Sequence, residues 1–126
     1  MTEVQRRVAI HVSGSVAAYK TCEVITALRR LEVEVRVAMT AGASRFITAT
    51  TFHSLSGHPV LTDVWDRDST GHGMGHIELG AWAEVHLAVA ASASLVARLA
   101  HGLADDAVTT TLLATRAPLL VAPAME

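Results

Sequence analysis

Among the seven histidines of this 126-residue chain, His76 stands out by its setting, the run Gly75-His76-Ile77-Glu78-Leu79 at the head of a stretch with helical spacing. An imidazole near neutral pH can take up or release a proton within one reaction step. Residue type alone does not assign it that role, because most histidines are structural or exposed. His72 and His76 are spaced i, i+4 with Glu78 nearby, a spacing compatible with a zinc ligand pair. No HExxH run or Cys/His set accompanies them, so a metal site is not expected.

Four small-residue segments carry hydroxyls or acids where a ligand could sit. Ser13-Gly14-Ser15-Val16-Ala17-Ala18 combines two hydroxyls with the start of a helix, where free N–H groups and the helix dipole favour a phosphate. It is neither GxGxxG nor a P-loop, and Ser13 or Ser15 acting as a helix cap explains it equally well. Met39-Thr40 followed by Ala41-Gly42-Ala43-Ser44 repeats the pattern, with a second cap as the simpler reading. Ala90-Ala91-Ser92-Ala93-Ser94 would let a flat ligand approach the backbone. Asp105-Asp106 reads best as a cap, since negative charge suits the first turn of a helix.

These segments need elements to hold them. Arg7–Val12 is a short β-branched run that suits a buried strand. Ala17–Leu31 has helical spacing with Arg29 and Arg30 near its end, and Val33–Met39 alternates like a strand. Thr40 to Leu55 predicts one or two short helices broken near Ala49–Thr51. Gly57-His58-Pro59 is a turn, and Val60-Leu61 begins a short strand. Asp63 to Gly75 reads as a surface loop. The pattern then predicts a short helix over His76–Ala83, a strand over Val85–Ala90, and a helix over Ser94–Gly102 closed by Gly102. A helix over Asp105–Thr115 and a strand over Leu119–Ala122 complete it. Alternating strands and helices predict one α/β domain, residues 1–126, with a mostly parallel sheet covered on both faces. The carboxyl ends of such strands build the ligand crevice. The chain stops at Pro123-Ala124-Met125-Glu126, directly after a strand, so a further C-terminal segment completing the site is expected.

Composition narrows the class. Hydrophobic residues make up 51% and charged residues 17%, which supports a core and argues against disorder. Net charge is −2 with scattered Lys and Arg and few aromatics, against a nucleic-acid surface. A lone Cys22 and the lack of a long apolar run suggest a reducing, cytoplasmic setting without a membrane.

Several motifs follow one another in a fixed order: Ser13–Lys20 (SGSVAAYK), Met39-Thr40, Thr51–Val60 (TFHSLSGHPV), Gly75–Leu79 (GHIEL), Leu99–Asp106 (LAHGLADD), Thr110–Ala114 (TTLLA) and Ala122–Met125 (APAM). The set resembles the homo-oligomeric flavin-containing cysteine decarboxylases, which include phosphopantothenoylcysteine decarboxylases and peptidyl-cysteine decarboxylases. The resemblance spans nearly the whole chain. It implies a Rossmann-like, flavodoxin-like three-layer α/β/α fold and bound FMN. It also implies a homotrimer with FMN between subunits, or a dodecamer of trimers. By matched position, it implies that Ser13, Gly14, Ser15, Val16, Thr40 and Ser92 bind FMN and that His76 is the catalytic histidine.

The chain departs from the family at two motifs. Where the family has PASAN, this chain has AASAS, with Ala90 for proline and Ser94 for asparagine. Glu126 replaces the asparagine that helps hold the substrate carboxylate, and a glutamate repels a carboxylate unless protonated or turned away. Cys22 does not match the cysteine that the phosphopantothenoylcysteine enzymes carry in a later segment. These departures, and the absence of a fused synthetase, tilt the expected substrate toward the C-terminal cysteine of a peptide, with phosphopantothenoylcysteine as the alternative. Two rival readings are a non-catalytic flavin-binding subunit and a flavin prenyltransferase. GHIEL and LAHGLADD fit the decarboxylases better.

Overall fold

The computed structural model describes residues 6–65 and 75–125. Most of the Asp63–Gly75 loop, His72 and Glu126 lie outside the described residues.

Four strands form one parallel sheet: β1 (Arg7–Val12), β2 (Glu34–Met39), β3 (Val85–Ala91) and β4 (Leu119–Pro123), in the order β2-β1-β3-β4. The helices are α1 (Tyr19–Arg30), α2 (Ala49–Ser56), α3 (His76–Trp82), α4 (Ala93–Ala100) and α5 (Ala107–Ala114). This is a flavodoxin-like α/β fold. Its strand order reverses between β1 and β3, so the loops leaving their carboxyl ends diverge and open a crevice.

Side-chain alternation along the strands separates two unlike cores. Ile10 and Val12 of β1 join Val35, Val37 and Met39 of β2 beneath α1 and α2, around Ile25 and Phe52. On the opposite face Ala9, Ala38 and Ala88 pack with Leu79, Leu95, Ala107 and Val108 from α3, α4 and α5. Alanines on that face let the helices approach the sheet closely.

The helix ends follow from local chemistry. α1 closes in a Schellman turn: Val33 N–H donates to the Leu28 carbonyl and Glu32 N–H to the Arg29 carbonyl, with Glu32 at φ 62°. Gly102, at φ 68°, closes α4 in the same way, its own N–H reaching Leu99 and Leu103 N–H reaching Arg98. Asp106 caps α5 in a capping box with Thr109.

Three expectations need correction. Val60-Leu61 is not a strand: Leu61 makes one isolated bridge to Ala38, and Pro59 removes an N–H that a longer ladder would need. The helix expected from Ala17 begins as a 3₁₀ turn over Val16–Ala18, and Ala49, placed at a break, instead starts α2. Coverage of both sheet faces holds for β1 to β3 but not for β4, where Leu120 and Val121 are exposed.

Candidate active site at the carboxyl edge of the sheet

The first turn after β1 is held by its own hydroxyls. Ser15 caps the 3₁₀ turn, accepting from Ala17 N–H at 3.2 Å, and donates to the Ala124 carbonyl beyond β4 at 3.3 Å. Ser13 is buried and accepts from Ser92 N–H at 2.9 Å. One short turn is therefore tied to the ends of both β3 and β4. Ala124 N–H donates in turn to the Ala91 carbonyl at 3.0 Å.

The second turn closes against the first. Thr40 Oγ1 accepts from Ala43 N–H at 3.1 Å. A Cβ on Gly14 would come within 3.1 Å of the Gly42 backbone, so the two turns touch through their main chains. Ser92 caps α4 by accepting from Leu95 N–H at 3.1 Å. Just before it, Ala90 holds a left-handed φ of 55°, and the β3–β4 register shifts between Val89 and Ala91. That irregularity swings Ser92 toward Ser13.

The sequence-predicted positions thus divide. Ser13, Gly14, Ser15, Thr40 and Ser92 converge on one small-residue cradle. Thr40, Ser13 and Ser92 each accept an N–H, and among the described residues no acceptor takes their hydroxyl hydrogens. Val16 points its side chain outward, 73% exposed. His76 opens α3 and is half-buried, and no hydrogen bond among the described residues joins it to the cradle. The paired acids are structural: Asp106 accepts from Thr109 N–H at 2.8 Å, and Arg98 pairs with both Asp105 and Asp106. Burial alone would raise the Asp106 pKa, but the Thr109 N–H and the Arg98 guanidinium outweigh it and hold the carboxyl below its ordinary value. Among the described residues no cluster of His, Cys, Asp or Glu could hold a metal, and no helix is long and apolar enough to cross a membrane.

Sequence reasoning passed over two residues inside the sheet, the second of them at the amino end of β3, away from the cradle. His11 and His86 sit inside the apolar strands β1 and β3, fully buried, with His11 Nε2 2.8 Å from His86 Nδ1. The signal was present: each histidine occupies an inward position among Ala, Val, Ile and Leu, with Arg7 the one other polar residue of the two strands.

The Flavoprotein family model matches residues 1–126. Over 126 residues the chain is 45% identical to the coenzyme A biosynthesis bifunctional protein CoaBC of Escherichia coli K12, covering all of this chain and 31% of that protein. The chain therefore spans about a third of the length of the curated relatives it matches. Among solved structures, the FMN-dependent cysteine decarboxylase SpaF aligns with a TM-score of 0.86 at 37% identity, over 97% of this chain and 70% of that one. A PPC decarboxylase variant complexed with pantothenoylaminoethenethiol aligns at 0.79 and 31% identity, over 98% and 69%.

Proposed function

The chain belongs to the Flavoprotein family, and from that premise we propose that it is an FMN-dependent enzyme that oxidatively decarboxylates a cysteine carboxylate. The observation that carries this reading is the convergence of Ser13, Gly14, Ser15, Thr40 and Ser92 on one cradle at the carboxyl edge of the sheet.

The cradle suits FMN. At Gly14 and Gly42 the two turns pack backbone against backbone, a contact that a Cβ on Gly14 would disturb, and this holds the hydroxyls of the cradle together. In the 3₁₀ turn leading into α1, Ala17 N–H is taken by Ser15 Oγ and Ala18 N–H by the Ser15 carbonyl. Among the described residues Val16 N–H is therefore the donor the turn keeps for a phosphate, and the hydroxyl hydrogens of Thr40 and Ser92 can add to it. Val16 presents an apolar surface to a flat ring.

When bound, FMN supplies the electron sink that removes a hydride from the cysteine β-carbon. His76 accepts the thiol proton or stabilises the charge left on sulfur. With the β-carbon at the thioaldehyde level, the electrons of the breaking C–CO₂ bond form a Cα=Cβ double bond and push the C=S π pair onto sulfur. A proton returned to that sulfur gives the enethiol. The two electrons removed from the substrate stay on the flavin until an acceptor such as dioxygen, or the enethiol itself, takes them up. The cradle's part is to orient the reactants and keep them together. His76→Asn is expected to retain FMN and lose turnover by about 10²-fold or more. Full turnover in that variant removes His76 from the role.

Phosphopantothenoylcysteine is the first substrate to try, supported by relatives that are 41–45% identical and serve coenzyme A biosynthesis. A C-terminal peptidyl cysteine is the second, favoured by the departures at Ser94 and Glu126, and the alignment with the FMN-dependent cysteine decarboxylase SpaF supports a cysteine substrate of either kind. FMN between the subunits of a homotrimer is part of the same reading. The test is a visible spectrum of the purified protein, then incubation with each substrate under mass spectrometry. A yellow protein that strips CO₂ from one of them bears the reading out. A colourless protein defeats the cofactor assignment, and a yellow but inert one favours a flavin-binding subunit without catalysis.

A further inference from the structure

The buried histidines begin a hydrogen-bond chain whose proton positions can be assigned. His86 Nε2 lies 3.0 Å from Thr115 Oγ1 and 3.4 Å from the Gly80 carbonyl. The Thr115 hydroxyl has one hydrogen and donates it to that same carbonyl at 2.7 Å. Thr115 Oγ1 must therefore accept from His86, which puts the proton on His86 Nε2 and a lone pair on its Nδ1. His11 then donates from its own Nε2 to that lone pair at 2.8 Å. Both rings are neutral Nε2–H tautomers, and His11 Nδ1 remains a buried acceptor without a partner among the described residues.

The chain ends on α3. Gly80 lies four residues after His76, and its carbonyl belongs to the last turn of a seven-residue helix, where carbonyls lack helical donors. Gly80 is also where α3 meets α5: a Cβ there would stand 3.4 Å from the Thr111 carbonyl and 3.6 Å from the Thr115 side chain. The sheet thus grips the far end of the helix that carries His76, through polar bonds with fixed direction. Two apolar side chains could fill the same space without unpaired nitrogen, whereas a connected polar chain selects one arrangement.

We propose that His86, backed by His11, is a positioning residue that sets the placement of α3 on the sheet and with it the aim of His76. This rests on the reading of His76 given above. Burial keeps the relay neutral, holding His86 below its ordinary pKa and His11 at about 3, with His86 itself adding to the effect on His11.

Three variants of the FMN-loaded protein test the proposal. His86→Met removes the relay. His86→Gln keeps an N–H at the ε position for Thr115 and Gly80. Thr115→Val removes the hydroxyl and carries the same test if His86→Met does not fold. His86→Met and Thr115→Val are expected to lower kcat about tenfold with little change in KM or FMN binding. Amide exchange at Leu79 and Ala83 should quicken about tenfold while β1 and β2 stay protected. His86→Gln should restore most of both. Two-bond ¹H–¹⁵N spectra should show both rings as Nε2–H tautomers. Unchanged exchange across α3, an Nδ1–H tautomer at His86, or parallel loss of FMN, KM and kcat would overturn the proposal. If the parent protein turns over neither substrate, the functional reading fails, and the exchange and tautomer measurements still decide whether His86 holds α3.

Discussion

Ala90 shows how much one backbone angle can carry. Its φ of 55° lies in the left-handed region, which costs an L-residue other than glycine about 1 kcal/mol or more. The strain is offset where the bulge delivers Ser92 N–H to Ser13 Oγ at 2.9 Å. Related motifs have proline at this position, and proline is locked near −65°. Ala90→Pro in this chain is therefore expected to destabilise by more than about 1 kcal/mol, read as a lower urea midpoint. An unchanged midpoint would mean that the turn readily adopts the other conformation. The departure from PASAN was legible in the sequence, and its backbone consequence was not. A positive φ at alanine leaves no mark in residue type, unlike one at Gly102. His11 and His86 were hidden differently: each looks like an isolated polar residue in an apolar run until the register places Ala9 opposite His86 and His11 opposite Ala88.

At the level of elements, the strands and helices were legible because their periods are clear and their caps are chemically distinct. Asp106 illustrates this. It stands between two helices, where an acid suits the first turn of the second, and it accepts from Thr109 N–H at 2.8 Å. Asp106→Ala is expected to cost about 1–2 kcal/mol through the lost cap, with Arg98 keeping its contact to Asp105 at 3.1 Å. Thermal unfolding would register the loss, and an unchanged melting temperature would reduce the capping box to a surface detail. The convergence of Ser13, Thr40 and Ser92 was only partly legible. Each turn by itself suits a helix cap, and the structure uses Ser15 and Ser92 that way. What joins them is the strand order β2-β1-β3-β4, a long-range property that no local pattern carries.

For the whole molecule, the buried histidines shape the response to acid. The unfolded rings take up protons near 6.5, whereas folded His11 resists until about 3. Between those values the unfolded state binds more protons, so stability falls as pH drops through that window and the loss levels off below it. His11 alone should give a slope of about 1.4 kcal/mol per pH unit well inside the window, and His86, also depressed, steepens its upper part. Asp106 works at the acid end: its folded pKa is lowered, so its contribution is present above the unfolded value and lost as pH falls through the folded one. Urea titrations from pH 7 to pH 4 should show the decline, and a His11→Leu/His86→Met double variant should flatten it. Parallel curves for the two proteins would contradict this assignment. The same pair has a kinetic side. His11 and His86 are 75 residues apart in sequence, while β1 and β2 pair across α1 and the 3₁₀ turn that leads into it. Closing the longer loop costs more entropy, so the β1–α1–β2 half is expected to form first and the β1–β3 seam late. A bond made after the rate-limiting barrier slows unfolding without speeding folding. In stopped-flow chevrons, His86→Met should raise the unfolding limb and leave the refolding limb in place, making the seam between the two halves the latch that sets how long the native state lasts.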